Sequence, residues 1–209
     1  MLLIISSLYL SENKEMGKYY MKKRKLGFDI DGTITCPAAI VPFINEAFQL
    51  QLTLEDLTDY DLLKVVDVPE KEFTDWYEQK EGDIFALSPL SKGAKEVLLK
   101  WGKHNDLIFI SARGENVLEV TKEWFINHGI GYDHLELIGS HEKVEAAKKY
   151  GVEIFFEDKY ENAIEIAQEC KIPVLLFDTP YNQGSLPKGV KRVFSWEEAN
   201  HWVEKWFNG

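Results

Sequence analysis

Short apolar runs recur along the chain, and each is followed by turn or polar residues. The first run, residues 26–30, ends at Asp31 and Gly32, as expected for a strand that stops at a turn. Four later runs have the same form: residues 106–110, 135–138, 152–156 and 173–177. Because short apolar runs bounded by turn signals are typical of buried strands, the pattern predicts five such strands.

Helical patterns lie between these runs. Residues 115–128 carry apolar side chains at helical spacing and precede Gly129, a residue type favoured just after a helix. Two more helical patterns follow, and a last helix opens with capping-box spacing: residues 141–150, residues 160–170 and the segment from Ser195. The alternation of strands and helices predicts an α/β fold, a Rossmann-type parallel sheet with helices on both faces.

One long segment, residues 38–87, breaks the alternation and shows no strand pattern. It contains three helical patterns: residues 38–49, 54–66 and 69–80. An insert directly after the first strand lies above the carboxyl edge of that strand, where it can act as a lid. We therefore expect a small helical cap at 38–87 within a core formed by residues 22–37 and 88–209. The Gly/Pro-rich residues 178–190 predict a long surface loop.

The N-terminal segment does not resemble a targeting sequence. Residues 1–10 are apolar, but no basic segment precedes them and no small-residue cleavage motif follows. The run is also too short to cross a bilayer. We interpret residues 1–21 as a leader or an over-extended N-terminus and expect no membrane anchor.

The charge balance narrows the choice of partner. The chain of 209 residues has 24 Lys and Arg against 35 Asp and Glu, a formal net charge of −11, which disfavours binding to a nucleic-acid polymer. Two cysteines are too few for a disulfide framework and fit a reducing compartment. We expect a cytoplasmic protein whose partner is a small molecule, and homo-oligomerisation stays open.

Carboxylates gather where the predicted strands end. Asp29 and Asp31 belong to the first strand end, Ser111 follows the second strand, and Glu157 and Asp158 follow the fourth. The carboxyl ends of parallel strands meet at one edge of a sheet, so these side chains should lie close together. Clustered carboxylates repel one another unless a cation joins them, and an all-oxygen ligand set favours Mg²⁺. A phosphoryl group could then bridge the metal and Ser111.

These residues resemble the motifs of a known family. Four segments are similar, in order, to the four motifs of the haloacid dehalogenase (HAD) phosphohydrolase superfamily: Asp29-Ile30-Asp31-Gly32-Thr33, Ile110-Ser111-Ala112-Arg113, a lysine at a helix start, and Glu157-Asp158. Further segments resemble the cytosolic type C 5′-nucleotidases and 5′(3′)-deoxyribonucleotidases: residues 89–94, Trp124 with residues 128–130, residues 156–163, residues 178–182, and Ser195-Trp196. The first motif ends in Gly-Thr, whereas many of those nucleotidases have Gly-Val.

The resemblance implies a HAD-like fold and a role for each motif residue. Asp29 would attack phosphorus and form an aspartyl-phosphate, and Asp31 would serve as general acid and then general base. The cofactor would be Mg²⁺, held by Asp29, Asp158 and the main-chain carbonyl of Asp31. Glu157 would contact metal-bound water or bind the metal directly, and we favour the contact through water.

The resemblance also implies a phosphate-binding set. Ser111, Ala112 and Lys143 are the expected members. Lys143 is preferred over Lys148 and Lys149 because it lies at the start of the helix before the fourth motif, whereas the other two lie near its end.

Other candidate residues have two interpretations each. Arg113 could clamp the substrate or pair with a surface acid, and the sequence favours neither. Phe43 and Trp76, in the predicted cap, are candidate substrate-binding residues. Phe73, Trp76 and Tyr77 share one helix face and could stack a nucleobase, although aromatic residues at that spacing more often pack in a core.

The expected function is that of an Mg²⁺-dependent phosphomonoester hydrolase, with a nucleoside 5′-monophosphate as the expected substrate. Two alternatives remain. One is a HAD phosphatase of another small metabolite, such as a sugar phosphate or phosphoglycolate. The other is a phosphate-binding regulatory protein with little turnover.

Overall fold

The structure, a computed structural model, describes residues 23–208 and contains one sheet of six parallel strands in that range. The strands are β1 (Lys25–Phe28), β2 (Asp106–Ser111), β3 (His134–Leu137), β4 (Ile154–Glu157), β5 (Val174–Phe177) and β6 (Val190–Val193). Their order across the sheet is β3-β2-β1-β4-β5-β6. Strands β1 and β4 therefore lie side by side at its centre. The segment interpreted as a leader, residues 1–21, falls outside the described residues.

Seven α-helices accompany the sheet in the described part of the chain. They are α1 (Val41–Phe48), α2 (Glu70–Leu87), α3 (Ala94–Trp101), α4 (Leu118–His128), α5 (Val144–Tyr150), α6 (Tyr160–Cys170) and α7 (Trp196–Asn208). None of the helices within residues 23–208 combines the length and the apolar composition needed to cross a membrane.

The sheet has an apolar layer on each face. On one face, α3, α4 and α7 cover a buried aromatic cluster around Phe28, whose ring lies 4.7 Å from that of Phe156 and 5.1 Å from that of Phe109. On the other face, α5 and α6 cover a second cluster that includes Ile108 and Phe155. These two layers confirm the predicted α/β class with helices on both faces. The arrangement shields both faces of the parallel sheet from water.

The segment between β1 and α3 is helical and has a small apolar core of its own. Ile44, Val66 and Phe73 form that core. A second cluster, with Ile84 and Phe85 of α2 and Val117 before α4, joins the segment to the rest of the molecule. Helix α2 packs directly on α4. The insert is thus anchored beside the carboxyl ends of β1 and β2.

The structure corrects several predicted elements in the insert. The helix predicted over residues 54–66 is wrong: that segment holds two short 3₁₀ turns, Leu54–Asp56 and Leu62–Lys64. The Asp59 carboxylate accepts the Asp61 N–H at 2.9 Å, and the Asp61 carboxylate accepts the Leu63 N–H at 3.1 Å. Such local side-chain bonds compete with the helical backbone pattern. In contrast, α2 continues beyond the predicted residue 80 to Leu87.

Two elements were missed outside the insert. Strand β6 begins at Val190, the last residue of the segment predicted as a loop. It is an edge strand of the sheet, a position that tolerates charged side chains. Its sequence VKRV therefore lacks the apolar run by which the other strands were recognised. Helix α3 has only eight residues and follows Gly93, whose φ is +85°. Its pattern was too short to be recognised.

Candidate active site

The residues at the carboxyl ends of the central strands form a buried polar site. Asp29 directly follows β1, Ser111 ends β2, and Glu157 ends β4 with Asp158 next to it. All four are buried, with exposures of 6% or less. The Asp29 N–H donates to the Phe156 carbonyl at 2.9 Å, which extends the β1–β4 pairing and fixes the backbone from which the Asp29 side chain projects.

Three carboxylates share this site with one lysine. Asp29, Glu157 and Asp158 each contribute an oxygen, and these oxygens all lie within 4.8 Å of one another. The Lys143 ammonium contacts Asp29 and lies 3.2 Å from Glu157 Oε1. Lys143 directly precedes α5 and is only 2% exposed. One positive charge therefore faces three acidic groups in a region shielded from water.

The charge balance is visible in the pKa values of these groups. Burial raises the pKa of Glu157 to about 7, while the Lys143 ammonium opposes the shift. Burial, and then the neighbouring Glu157, raise the pKa of Asp158 well above its ordinary value. Burial alone would lower the pKa of Lys143, but the carboxylates of Asp29 and Glu157 outweigh it and the pKa is raised. The cluster thus holds a charged lysine and still has an excess of acid.

Asp158 is held by partners from two loops. Its Oδ2 accepts the Tyr181 hydroxyl at 2.6 Å, and its Oδ1 accepts the Thr33 hydroxyl at 3.2 Å. Gly32 passes close to this carboxylate with φ +77°, and a Cβ there would lie 2.2 Å from Asp158 Oδ2. Position 32 therefore requires glycine both for its backbone conformation and for space.

Asp31 forms a two-point ion pair with Arg113. The Arg113 Nε donates to Asp31 Oδ2 at 2.8 Å, and Nη2 donates to Asp31 Oδ1 at 2.7 Å. The Arg113 side chain is 1% exposed, whereas that of Asp31 is 39% exposed. The acid that pairs with Arg113 is therefore Asp31, the candidate acid of the site, and a direct contact of Arg113 with substrate stays a prediction.

A cavity of about 620 Å³ lies over the site, between the strand ends and the insert. Asp31, Ala112, Arg113 and Asp158 contribute to its floor. Its wall on the insert side is made mainly of aromatic and aliphatic side chains: Ile40, Leu57, Tyr60, Phe73, Tyr77 and Phe85. Its size and mixed lining are typical of small-molecule sites.

The structure places two predicted cap residues away from this cavity. Phe43 packs in the cluster with Ile84 and Phe85, and Trp76 packs between that cluster and the core of the insert. Neither residue lines the cavity, whereas Tyr77 does. Burial, and then the Asp31 carboxylate, raise the pKa of the Tyr77 hydroxyl to about 12. Helical spacing identified the aromatic face but not which of its residues reach the cavity.

Tyr60 connects the insert to three loops of the core. Its ring lies 5.5 Å from that of His141 and 5.8 Å from that of Tyr181, in edge-to-face arrangements. The Lys159 ammonium lies 4.3 Å from the centre of the same ring. Burial, followed by the Asp158 and Asp29 carboxylates, raises the pKa of the Tyr60 hydroxyl. Tyr60 thus packs against these three loops and helps to close the cavity.

Comparisons with known proteins identify the family. The chain is 45% identical over 185 residues to "Putative nucleotidase BH1399" of Halalkalibacterium halodurans, covering 88% of this chain and 95% of the relative. It is 44% identical over 179 residues to "Putative nucleotidase YqfW" of Bacillus subtilis, covering 86% and 93%. No protein-family model matches the chain.

Solved structures share the fold at low sequence identity. A haloacid dehalogenase-like hydrolase from Streptococcus pneumoniae superposes with a TM-score of 0.62 at 10% identity, covering 88% of this chain and 98% of that one. The HAD hydrolase YfnB from Bacillus subtilis, bound to magnesium, gives a TM-score of 0.59 at 15% identity, covering 87% and 98%. The chain belongs to the family of these nucleotidase relatives, and its fold is that of haloacid dehalogenase-like hydrolases. It is accordingly a hydrolase of the phosphatase type.

The structure brings most of the predicted site residues together. Asp29, Ser111, Lys143, Glu157 and Asp158 are buried at one edge of the sheet. Asp31 and Ala112 line the cavity beside them. These placements agree with the expected arrangement, and the chemical roles of the residues remain predictions.

Several supporting residues were not predicted from the sequence. Asn162 donates to Glu157 Oε1 at 2.5 Å, and Asn182 donates to the Asp158 carbonyl at 2.6 Å. Tyr181 holds the Asp158 side chain. Asn162, Tyr181 and Asn182 lie in segments that resemble the nucleotidases, so the resemblance marked their position but not their contacts.

The donor set of the cluster suits a hard divalent cation. Asp29, Glu157 and Asp158 present only oxygen atoms, with no sulfur or imidazole among them. Oxygen-only sites favour Mg²⁺ or Ca²⁺ over softer metals. The buried acidic cluster therefore could hold a metal ion and has the surplus negative charge that such an ion would balance.

Replacing Lys143 with Met should lower the free energy of unfolding of the metal-free protein by about 3–5 kcal/mol, because the buried carboxylates then lose their counter-charge. Chemical denaturation in the presence of a chelator measures the change. Lys149→Met is the matched control: Lys149 pairs with Glu136 at the surface, so its loss should cost less than about 1 kcal/mol. Equal effects of the two substitutions would contradict a dependence of the site on Lys143.

Proposed function

We propose that this HAD protein is an Mg²⁺-dependent phosphatase that acts through an aspartyl-phosphate on Asp29 and takes nucleoside 5′-monophosphates as substrates. In this proposal residues 38–87 are a cap that selects the leaving group, while residues 22–37 and 88–209 supply the chemistry. Cytoplasmic location and homo-oligomerisation remain predictions.

One observation carries the proposal. Asp29 lies at the end of β1, in contact with the Lys143 ammonium and within an oxygen-donor cluster, while Asp31 lies beside the cavity above it. A candidate nucleophile and its counter-charge therefore lie within a possible cation site, next to a cavity that a second carboxylate lines. This combination supports phosphoryl transfer, in which positioning and charge stabilisation supply most of the catalysis.

The proposed reaction has two steps. A carboxylate oxygen of Asp29 attacks phosphorus while the bond to the leaving oxygen breaks, and Asp31 gives that oxygen a proton. Asp31 then takes a proton from a water molecule, whose oxygen attacks phosphorus and releases Asp29. Lys143 balances charge beside Asp29, and the Ser111 hydroxyl and the Ala112 backbone bind the phosphoryl oxygens.

The proposed metal site uses the acidic cluster. Asp29, Asp158 and the main-chain carbonyl of Asp31 would hold Mg²⁺, with Glu157 fixed by Lys143 and Asn162 behind them. When bound, Mg²⁺ supplies positive charge that offsets the negative charge of the phosphate and of the carboxylates. The magnesium bound to the structural neighbour YfnB supports this choice of metal.

The cavity chemistry supports an aromatic leaving group. Phe73, Tyr77 and Phe85 give the insert side a broad apolar face that could stack against a base. A leaving group without an aromatic ring, as in phosphoglycolate or phosphoserine, would gain no stacking on this face. A nucleobase would.

Chelation should abolish activity, and added Mg²⁺ should restore it, because three neighbouring carboxylates need a cation before they can accept a phosphate dianion. The measurements are phosphate release and the thermal midpoint, which Mg²⁺ should raise. Asp158→Asn should lose both responses, while Asp83→Asn, a change at a surface ion pair, should retain them. Full activity in excess chelator would contradict a metal-dependent mechanism.

A phosphate-release screen at equal substrate concentration tests the substrate. Nucleoside 5′-monophosphates, deoxy forms included, should exceed ribose 5-phosphate, phosphoglycolate and phosphoserine by roughly 10- to 100-fold in kcat/KM, because only the nucleotides gain base stacking. Asp29→Asn provides the inactive control. If one of the other three esters ranks first, the nucleotidase proposal fails and the phosphatase assignment alone remains.

A further inference from the structure

The carboxylate of Asp31 is held in one orientation by a single side chain. Both of its oxygens accept hydrogen bonds from Arg113, at 2.7 Å and 2.8 Å. The side chain of Asp31 is otherwise partly open to the cavity. A carboxylate exposed on one side can rotate and swing, whereas a bidentate guanidinium contact fixes the plane of the group as well as its position.

Arg113 is itself fixed on its remaining sides. Its Nη1 donates to the Thr121 hydroxyl of α4 at 3.0 Å, and its guanidinium carbon lies 3.9 Å from the ring centre of Phe85 in α2. Thr121 is fully buried, and its hydroxyl also donates to the Val117 carbonyl at 2.8 Å. The guanidinium is therefore sandwiched between the insert and the core and directed at Asp31.

We propose that Arg113 is a positioning residue, which holds the Asp31 carboxyl group where its protonated form can give a proton to the leaving oxygen and its ionised form can then take a proton from the attacking water. The proposal rests on the proposed function, in which Asp31 is the acid and base. Arg113 neither gives nor takes a proton, since a guanidinium stays charged at all relevant pH values. Its contribution is geometric, and displacement of a catalytic group by about 1 Å can cost about 100-fold in rate.

This arrangement argues against a substrate clamp at Arg113. Three of its nitrogens already donate to protein atoms, and the face of its guanidinium is covered by Phe85. The side chain exposes 1% of its surface. Two N–H groups of the guanidinium are left without a protein partner, so the orientation of Arg113 is set by Asp31, Thr121 and Phe85 before any substrate binds.

Two substrates separate the two roles. A nucleoside 5′-monophosphate has an alkoxide leaving group that needs a proton, whereas p-nitrophenyl phosphate releases a stable phenolate that does not. A misplaced Asp31 should therefore slow phosphoryl transfer from the nucleotide far more than from the aryl ester. Hydrolysis of the phosphoenzyme needs Asp31 with either substrate, so it should become rate-limiting with the aryl ester and give a burst of nitrophenolate.

Arg113→Lys keeps the charge but loses the two-point contact. With adenosine 5′-monophosphate we expect kcat/KM to fall roughly 100-fold, whereas with p-nitrophenyl phosphate it should fall less than about 3-fold and a burst should appear. Thr121→Val, which removes the acceptor that steadies Arg113 but keeps the side-chain shape, should shift both readouts in the same direction by a smaller factor. Arg24→Lys is the matched control. Arg24 pairs with Glu153 at the amino ends of β1 and β4, away from the site, so the change should alter neither readout.

The outcome is read against Asp31→Asn, measured alongside. If Asp31→Asn gives the substrate difference and the burst while both Arg113→Lys and Thr121→Val give neither, the positioning role of Arg113 is wrong and the proposed function stands. If Arg113→Lys raises KM for the nucleotide with kcat unchanged and no burst, Arg113 binds substrate instead. If Asp31→Asn itself shows no difference between the two esters, the assignment of Asp31 as acid and base fails, and this inference fails with it.

Discussion

The burial of three carboxylates around one lysine is the constraint on which the site depends. Asp29, Glu157 and Asp158 are almost inaccessible to water, and Lys143 supplies the only ammonium that contacts them among the described residues. Such a cluster is costly to fold unless further positive charge reaches it. In the proposed function a divalent cation would meet that need, and the cation and the lysine together would create a place where a phosphate dianion could bind. The electrostatic cost of the fold and the proposed function therefore have the same origin.

The parallel sheet explains how residues far apart in sequence reach this cluster. The neighbouring strands β1 and β4 end side by side. Asp29 and Glu157 therefore lie close together although more than half of the sequence lies between them. Close approach then constrains the loops: Gly32 passes so near Asp158 that no side chain fits. The insert, which leaves the sheet just after Asp31, covers this edge with Tyr60 and the apolar side of α2.

The sequence predicted which residues gather at the site better than it predicted the elements that surround them. Asp29 and Asp158 were recognisable because carboxylates after buried apolar runs have few structural explanations. Trp76 was not separable from Tyr77, because helical spacing shows which residues share a face but not which of them reach the cavity. The Arg113–Asp31 pair depends on where α4 and α2 place Thr121 and Phe85, which only the tertiary structure reveals. Strand β6 was missed because an edge strand can carry charge.

The most direct test of the account is to trap the covalent intermediate. The Asp31→Asn variant, in which hydrolysis of the intermediate should be slow, is mixed with p-nitrophenyl phosphate and Mg²⁺, because this ester can phosphorylate Asp29 without a proton from residue 31. The mixture is quenched, reduced with borohydride and mapped by peptide mass spectrometry. The account predicts that Asp29 is converted to homoserine, the reduction product of an aspartyl-phosphate, and that the conversion requires both the ester and Mg²⁺. Homoserine at another carboxylate, or an unmodified Asp29 in a variant that still releases nitrophenolate, would contradict it.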